Sequence, residues 1–200
     1  MFTYEEKYKS LGYKLIAGTD EAGRGPLAGP VVCAAVIMPL EKHLIIEGVN
    51  DSKKLSEKMR EKLFPLIIER AIDVSVSIID HLVIDEINIL EASKRGMEEC
   101  VSKLKNAPDI LLVDAVKGLK IKCEYLPIIH GDALSYSIAC ASIIAKVTRD
   151  RLMLELDKQY PLYKFAQHKG YGTALHIKLL KEFGACEIHR RTFIKNFNVQ

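Results

Sequence analysis

Four acidic residues in this sequence are candidates for binding divalent metal ions. Asp20 and Glu21 follow one apolar segment, Asp114 follows a second, and Asp132 follows a third. The ends of strands in an α/β sheet can converge on one cleft, and carboxylates held close together repel each other unless they share a cation. Hard oxygen ligands suit Mg²⁺ or Mn²⁺ better than zinc. The pattern therefore predicts a carboxylate metal site.

Each of these residues also has an ordinary structural explanation. Asp114 can form a turn, Asp132 can cap a helix, and Asp20 and Glu21 can be solvated turn residues. Taken singly, each residue favours the structural explanation. Adjacent residues in a regular strand point to opposite faces, so we expect the glycine-rich turn to bend the chain at Asp20 and Glu21.

That turn, residues 23–28 (GRGPLA), also matches the loose dinucleotide-binding pattern GxGxxG/A. The pattern should open a helix, but here it leads into an apolar segment that Pro30 and Pro39 enclose. Two carboxylates beside a pyrophosphate would also oppose its binding. The glycines are better explained as positions where backbone amides approach a ribose or phosphate closely.

Strands and helices that position these residues follow from apolar runs and from glycine and proline boundaries. Ser56 can cap the first predicted helix, and Pro161 ends the long one. The order of elements indicates an α/β layer fold with a mixed sheet. We predict strands over 14–19, 31–38, 71–79, 110–113 and 122–129, and helices over 57–70, 82–105, from about 132 to 160, and 174–183.

Composition narrows the class of protein. With 48% hydrophobic residues, no apolar run long enough for a membrane span and an acidic N-terminus, we expect a soluble, cytoplasmic protein without a signal peptide or membrane contact. The five cysteines are scattered and form no CxxC pair, which argues against disulfides and a structural zinc site.

Charge is distributed unevenly along the chain. Residues 1–100 carry 13 basic and 17 acidic groups, whereas residues 101–200 carry 16 and 9. A basic C-terminal region suggests a polyanionic partner such as nucleic acid, although a solvated helix surface explains the charge equally well.

Taken together, several motifs resemble those of type 2 ribonuclease H, the bacterial ribonuclease HII family. They occur in the family's order from near residue 16 to near residue 193, which makes the resemblance specific. The matching segments are 16–32 (IAGTDEAGRGPLAGPVV), 50–56 (NDSKKLS), 112–114 (LVD), 131–133 (GDA), 141–150 (ASIIAKVTRD), 168–173 (HKGYGT) and 188–193 (IHRRTF).

The resemblance implies a ribonuclease H-like fold, with a mixed five-stranded sheet flanked by helices and a C-terminal helical segment. We expect a single catalytic domain over 1–200, with a core over about 14–160 and a substrate-binding segment over about 161–200. The implied activity is hydrolysis of the RNA strand of RNA–DNA hybrids and cleavage 5′ of ribonucleotides embedded in duplex DNA. Products would carry 5′-phosphate and 3′-hydroxyl ends, and the protein would be a monomer.

The same resemblance implies roles for individual residues. Asp20, Glu21, Asp114 and Asp132 would bind two divalent cations, Mn²⁺ or Mg²⁺, and support catalysis. Gly23, Arg24 and Gly25 would read the ribose 2′-hydroxyl, and Tyr171 would pack on the sugar next to the cleaved bond. Ser52, Lys53, Lys146 and Arg149 would contact or position the phosphodiester backbone, and Lys169, Lys178, Arg190 and Arg191 would add electrostatic attraction.

Ordinary explanations remain open for several of these residues. Arg24 can be a salt-bridged turn residue, Tyr171 a core or surface tyrosine, and Arg149 can pair with Asp150 on the long helix. Position 130 also departs from the family pattern, with histidine where lysine is expected, which leaves one phosphate contact in doubt and suggests pH-dependent binding. The segment after Asp114 is likewise less typical.

Two other functions fit parts of the sequence. A protein that binds RNA–DNA hybrids without cleaving them fits the basic C-terminal region. Such a protein would not need all four acidic residues, and this sequence has all four. A junction resolvase or a type 3 ribonuclease H would share the fold. The Gly-Arg-Gly loop with Tyr171 argues against the resolvase, and the lack of room for an extra N-terminal domain argues against the type 3 enzyme.

Overall fold

Five strands form one mixed sheet in the computed structural model of the chain, which describes residues 1–197 apart from the side chain of Lys42. The order across the sheet is β3-β2-β1-β4-β5, with β1 antiparallel to β2, β2 antiparallel to β3, and the pairs β1–β4 and β4–β5 parallel. The predicted mixed five-stranded sheet is confirmed. The strands are β1 (Ile16–Ala22), β2 (Val31–Ile37), β3 (Asp73–Ile79), β4 (Ile110–Asp114) and β5 (Glu124–Ile128).

Helices cover both faces of this sheet, with α6 against β1 and β2 on one face and α4 against β2 and β3 on the other. This double cover explains why β2 is apolar at every position and buried along its whole length. The helices are α1 (Thr3–Ser10), α2 (Glu57–Arg70), α3 (His81–Ile87), α4 (Ile89–Lys103), α5 (Gly131–Leu134), α6 (Tyr136–Gln159), α7 (Phe165–His168), α8 (Ala174–Phe183) and α9 (Arg191–Ile194).

Two predicted helices are each divided in the structure. The helix expected over 82–105 breaks at Asn88, which has a φ of 67° and whose side chain accepts hydrogen bonds from the first amides of α4. The helix expected from about 132 breaks at Ser135, whose Oγ accepts from Ile138 N at 3.2 Å. In both places a polar side chain satisfies the orphan amides of a new helix start. Helix α1 was not predicted, whereas the cap of α2 by Ser56 is confirmed.

No helix within residues 1–197 combines the length and apolarity needed to cross a bilayer. The division into a core over about 14–160 and a C-terminal segment stays a prediction.

Helix α6 and strand β1 approach closely at Gly18. A Cβ at this position would overlap the backbone of Ser137 and Ile138. Neither of these backbone groups can move without displacing α6 from the sheet, so a residue without a side chain is required here. This contact fixes the distance between the helix and the strand that carries Asp20.

Three buried histidines connect the C-terminal segment to the Tyr171 loop. His176 Nδ1 donates to Tyr171 O at 2.9 Å, which leaves its Nε2 to accept from His189 Nε2 at 3.1 Å. His189 Nδ1 then accepts from Cys186 N at 3.0 Å. His168 stacks on His176 with ring centres 4.3 Å apart. This hydrogen-bond chain requires neutral His176 and His189 rings.

We predict that Gly18→Ala destabilises the fold by about 3 kcal/mol or more because the added methyl group overlaps fixed backbone. Gly48→Ala is the control, since no atom lies within 4 Å of the added Cβ and only its positive φ of 85° is strained. The control should lose about 1 kcal/mol. Urea unfolding of both variants measures the difference, and equal losses would contradict the close contact.

We predict that the histidine chain makes stability depend on pH between 6.5 and about 4. Burial lowers the pKa of His176 and of His189 from 6.5 to about 4, so the unfolded chain binds more protons in this range. The stabilisation is complete above pH 6.5 and is lost as pH falls through about 4. The pair should account for roughly 2 to 5 kcal/mol of the free energy of unfolding.

Urea unfolding at several pH values tests this, with His176→Gln compared with the exposed His43→Gln. Only His176→Gln should flatten the profile. A wild-type slope in that variant would exclude His176 as a source of the pH dependence.

Candidate active site

The carboxylates of Asp20, Asp114 and Asp132 meet at one end of the sheet. Asp20 and Asp114 directly follow the last β1–β4 pair, Thr19 with Val113, so parallel pairing brings them side by side. Asp132 arrives from α5, which follows the neighbouring strand β5. One oxygen from each carboxylate lies within 4.8 Å of the others. The structure thus brings together three of the predicted metal-binding residues, which we call the acidic cluster.

Neighbouring groups hold the other two carboxylates of the acidic cluster beside Asp20. Gly131 N donates to Asp114 Oδ1 at 2.7 Å, and Lys53 Nζ donates to Asp132 Oδ2 at 3.0 Å. The Lys53 side chain is 77% exposed. The Asp132 side chain is only 5% exposed, so a metal ion that displaces the exposed lysine has to replace it as the positive partner of this buried carboxylate.

Glu21 lies next to the acidic cluster but outside it. Strand β1 pairs regularly with β2 through Ala22, so the expected bend at Asp20 and Glu21 is wrong, and the chain turns instead at Gly23, where φ is 104°. Asp20 joins the cluster, whereas Glu21 lies outside it but lines the adjoining cavity together with Asp20 and Asp114. Glu21 Oε1 accepts from Arg24 Nη1 at 3.4 Å, and Oε2 is buried without a partner among the described residues.

Burial and mutual repulsion disfavour the charged forms of these carboxyls. Burial raises the pKa of Asp20 well above its usual range, and the charges of Glu21 and Asp114 raise it further. Burial also raises the pKa of Glu21 and of Asp114. A divalent cation would relieve this repulsion, and an all-oxygen donor set fits Mg²⁺ or Mn²⁺.

A cavity of about 330 Å³ opens beside the acidic cluster. Ser52 is buried at its edge, and its Oγ lies 2.7 Å from Ser142 Oγ. Ser142 lines the same cavity as Asp20, and its hydroxyl lowers the pKa of that carboxyl against the larger effect of burial. Ser142 was not among the predicted site residues, although a small polar residue inside the apolar part of the long helix is a signal that could have identified it.

The predicted ribose-contacting residues line this cavity. Residues 23–25 and Tyr171 contribute to its walls, and Tyr171 is 40% exposed. Lys146 also lines it, with Nζ 5.7 Å from the Tyr171 ring centre and 2.7 Å from Asp150 Oδ1. Aromatic, cationic and glycine-rich surfaces therefore lie together beside the carboxylates.

Three of the predicted basic contacts are not arranged as expected. Arg149 and Arg190 are completely buried, and their guanidinium groups donate to backbone carbonyls. The possible Arg149–Asp150 pair is wrong, because Asp150 pairs with Lys146 instead. Lys169 lies outside the residues that line the cavity, and its Nζ donates to the carbonyl of Ala166.

His130, the departure from the family pattern, is exposed and lies just before α5. Its φ of 56° places it in the left-handed region, at the turn that delivers Asp132 to the cluster. The backbone conformation gives this position a structural role that is separate from any phosphate contact.

We predict that Asp20→Asn stabilises the metal-free protein. The raised pKa of Asp20 means that its charge opposes folding at neutral pH, and this penalty disappears below its ordinary titration range. Removing the charge should raise the free energy of unfolding in EDTA by on the order of 1 kcal/mol at pH 7.

Asp109→Asn is the matched control, since Asp109 is exposed before the other end of β4 and its side chain accepts from Lys14 and Leu15 amides. It should not gain stability. Lower stability of Asp20→Asn in EDTA would show that the Asp20 charge does not oppose folding.

Comparisons with known proteins agree with this geometry. The family model described as Ribonuclease HII matches residues 17–196. The Ribonuclease HII of Acetivibrio thermocellus is 58% identical over 199 residues, which is 100% of this chain and 77% of that protein.

Solved structures of ribonucleases H of this type are also similar to this chain. The ribonuclease H2 of Pyrococcus horikoshii OT3 has a TM-score of 0.76 at 30% identity, covering 90% of this chain and 93% of that one. The PCNA:RNase HII complex from Archaeoglobus fulgidus also has a TM-score of 0.76, at 28% identity over 92% and 97% of the two chains. The chain therefore belongs to the ribonuclease HII family, whose members are divalent-metal-dependent endoribonucleases that degrade the RNA of RNA–DNA hybrids.

Proposed function

We propose that this protein cleaves the RNA strand of RNA–DNA hybrids and also cuts duplex DNA on the 5′ side of single embedded ribonucleotides. The products would have 5′-phosphate and 3′-hydroxyl ends. The observation that carries the proposal is the acidic cluster, with carboxylate oxygens within 4.8 Å, at a cavity whose other walls include residues 23–25 and Tyr171.

Asp20, Asp114 and Asp132 would hold the metal, and Glu21 would contribute from the adjoining side of β1. We infer two Mg²⁺ or Mn²⁺ ions per site. When bound, such ions activate water for attack on phosphorus and neutralise charge on the departing 3′ oxygen. The carboxylates would keep the ions in place, and the positive charge of the ions would lower the electrostatic cost of bringing a phosphate to this end of the sheet.

The Gly23–Gly25 loop would recognise the ribose. Its backbone can approach a sugar closely because both glycines lack side chains, and the 2′-hydroxyl can both donate and accept hydrogen bonds. Tyr171 would pack on the neighbouring sugar. Support comes from the position of both groups on one cavity beside the carboxylates.

Phosphate contacts would come from basic and hydroxyl groups around the cavity. Lys53 and Lys146 line it, and Ser52 lies at its edge. Lys169 would act at longer range, and Arg149 would act indirectly through the backbone that it holds. These contacts are independent of base sequence and weaken with salt.

We also infer that the protein works as a monomer in the cytoplasm. A single catalytic domain over 1–200 would be sufficient, because three of the four predicted catalytic residues and most of the predicted substrate contacts line one cavity, with Asp132 beside it.

A cleavage assay tests the proposed function. The protein is incubated with duplex DNA that contains one ribonucleotide, with Mg²⁺ and Mn²⁺ tested separately and EDTA as the blank. We expect a single cut 5′ of the ribonucleotide and no cut in the all-DNA duplex. An intact ribonucleotide duplex, or equal cutting of both duplexes, would refute the proposal.

Asp20→Asn should lower turnover by about 100-fold or more while substrate binding is largely retained, because it removes a charged metal ligand. Asp109→Asn, the control at the other end of β4, should keep wild-type turnover. Normal turnover in Asp20→Asn would remove Asp20 from the metal site.

A further inference from the structure

Arg190 is a fully buried arginine that holds the Gly23–Gly25 loop from behind. Its Nη2 donates to Gly23 O at 2.6 Å and its Nη1 donates to Arg24 O at 3.0 Å. Its Nε donates to Gly29 O at 2.9 Å, and Nη2 also reaches Pro30 O at 3.2 Å. One side chain near the C-terminus therefore restrains both ends of the segment that connects β1 to β2.

Arg149 supports the same segment from α6. Its guanidinium donates to Pro30 O at 3.0 Å, to Ala28 O at 3.2 Å and to Lys169 O at 2.9 Å. The side chain also packs against the Cα of Gly23, where any Cβ would overlap it. The loop is thus held on both sides of its turn.

Neither arginine forms an ion pair within residues 1–197. Burial of two neighbouring guanidinium groups without a carboxylate is unfavourable, and burial with the Arg149 charge lowers the pKa of Arg190 to about 9. A planar guanidinium can hold several carbonyls in one fixed geometry. This favours a role in fixing backbone conformation over a role in overall stability.

The hydrogen bonds to Gly23 O and Arg24 O also determine where two amides point. A trans peptide is planar, so its N–H points opposite to its C=O. Holding these two carbonyls toward Arg190 directs the Arg24 and Gly25 N–H groups away from it. Neither N–H donates to a protein acceptor in the described part of the chain, and residues 23–25 line the cavity beside the acidic cluster.

We propose that Arg190, supported by Arg149, is a positioning residue that sets selectivity for ribonucleotides by aiming the Arg24 and Gly25 amides at the sugar. This inference rests on the proposed function, because it assumes that the loop binds ribose. Arg190 itself is buried and touches backbone, so it acts through the loop and not on the substrate.

Arg190→Lys tests the proposal because it keeps the charge but cannot hold four carbonyls. We expect kcat/KM on the single-ribonucleotide duplex to fall by about 10- to 100-fold. The inhibition constant of the matching all-DNA duplex should stay within about 2-fold of wild type, since phosphate contacts are unchanged. Arg95→Lys, at an exposed arginine on α4 paired with Glu99, is the control and should change neither value.

Met97→Ala is the control for a general loss of stability, because it opens a cavity in the core on the α4 face. It should lower the melting temperature without changing the ratio of the two constants. Unchanged kcat/KM in Arg190→Lys, or a parallel rise in the all-DNA inhibition constant, would overturn the proposal.

If Arg190→Lys does not fold, Arg190→Ala with added guanidinium ion provides the second variant. Guanidinium, but not ammonium, should restore ribonucleotide cleavage, while Met97→Ala should gain nothing. Equal rescue by ammonium, or no rescue of a variant that circular dichroism shows to be folded, would refute positioning by the planar group.

A measurement on the protein without substrate tests the role of Arg190 independently of the proposed ribonuclease activity. Nitrogen-15 relaxation should give order parameters of about 0.85 for the Arg24 and Gly25 amides in wild type and below about 0.6 in Arg190→Lys. If wild type cleaves neither duplex, the proposed function fails, and the relaxation data still decide whether Arg190 holds the loop. Rigid amides in the variant would overturn that assignment.

Discussion

Three carboxylates that repel one another lie within 4.8 Å at the end of the sheet, and the rest of the structure has to hold them there. Pairing of β1 with β4 fixes the positions of Asp20 and Asp114, and the amide of Gly131 orients Asp114. Asp132 depends on α5. The rigidity of the sheet therefore sustains an arrangement that these side chains would not adopt by themselves, and a divalent cation is the natural means of relieving it.

The basic side of the site is organised in a different way. Lys53 and Lys146 each pair with a carboxylate, whereas Arg149 and Arg190 pair with backbone carbonyls and are removed from solvent. The basic side chains of the site therefore form two groups, one that faces the cavity and one that supports its walls, although the net charge of the chain is only +3. Of these, only the cavity-facing group can act on phosphate directly.

Much of the fold and part of the site could be predicted from local patterns. The convergence of Asp20 and Asp114 followed from their position after apolar strands. The burial of Arg190 could not be predicted, because arginine is usually exposed and the carbonyls that bury it lie about 160 residues earlier in the chain. The break at Asn88 was missed because no glycine or proline marks it, although asparagine tolerates positive φ.

The topology of the sheet also has a consequence for folding. Strands β1, β2 and β3 pair in sequence order. Strand β1 also pairs with β4, which lies much later in the chain, and this pairing joins Ile16 to Ile110. Pairing across such a distance costs loop entropy before it yields contacts, and it slows folding. The acidic cluster cannot form before this pairing, so a chain still emerging from the ribosome carries its carboxylates apart and has no metal site.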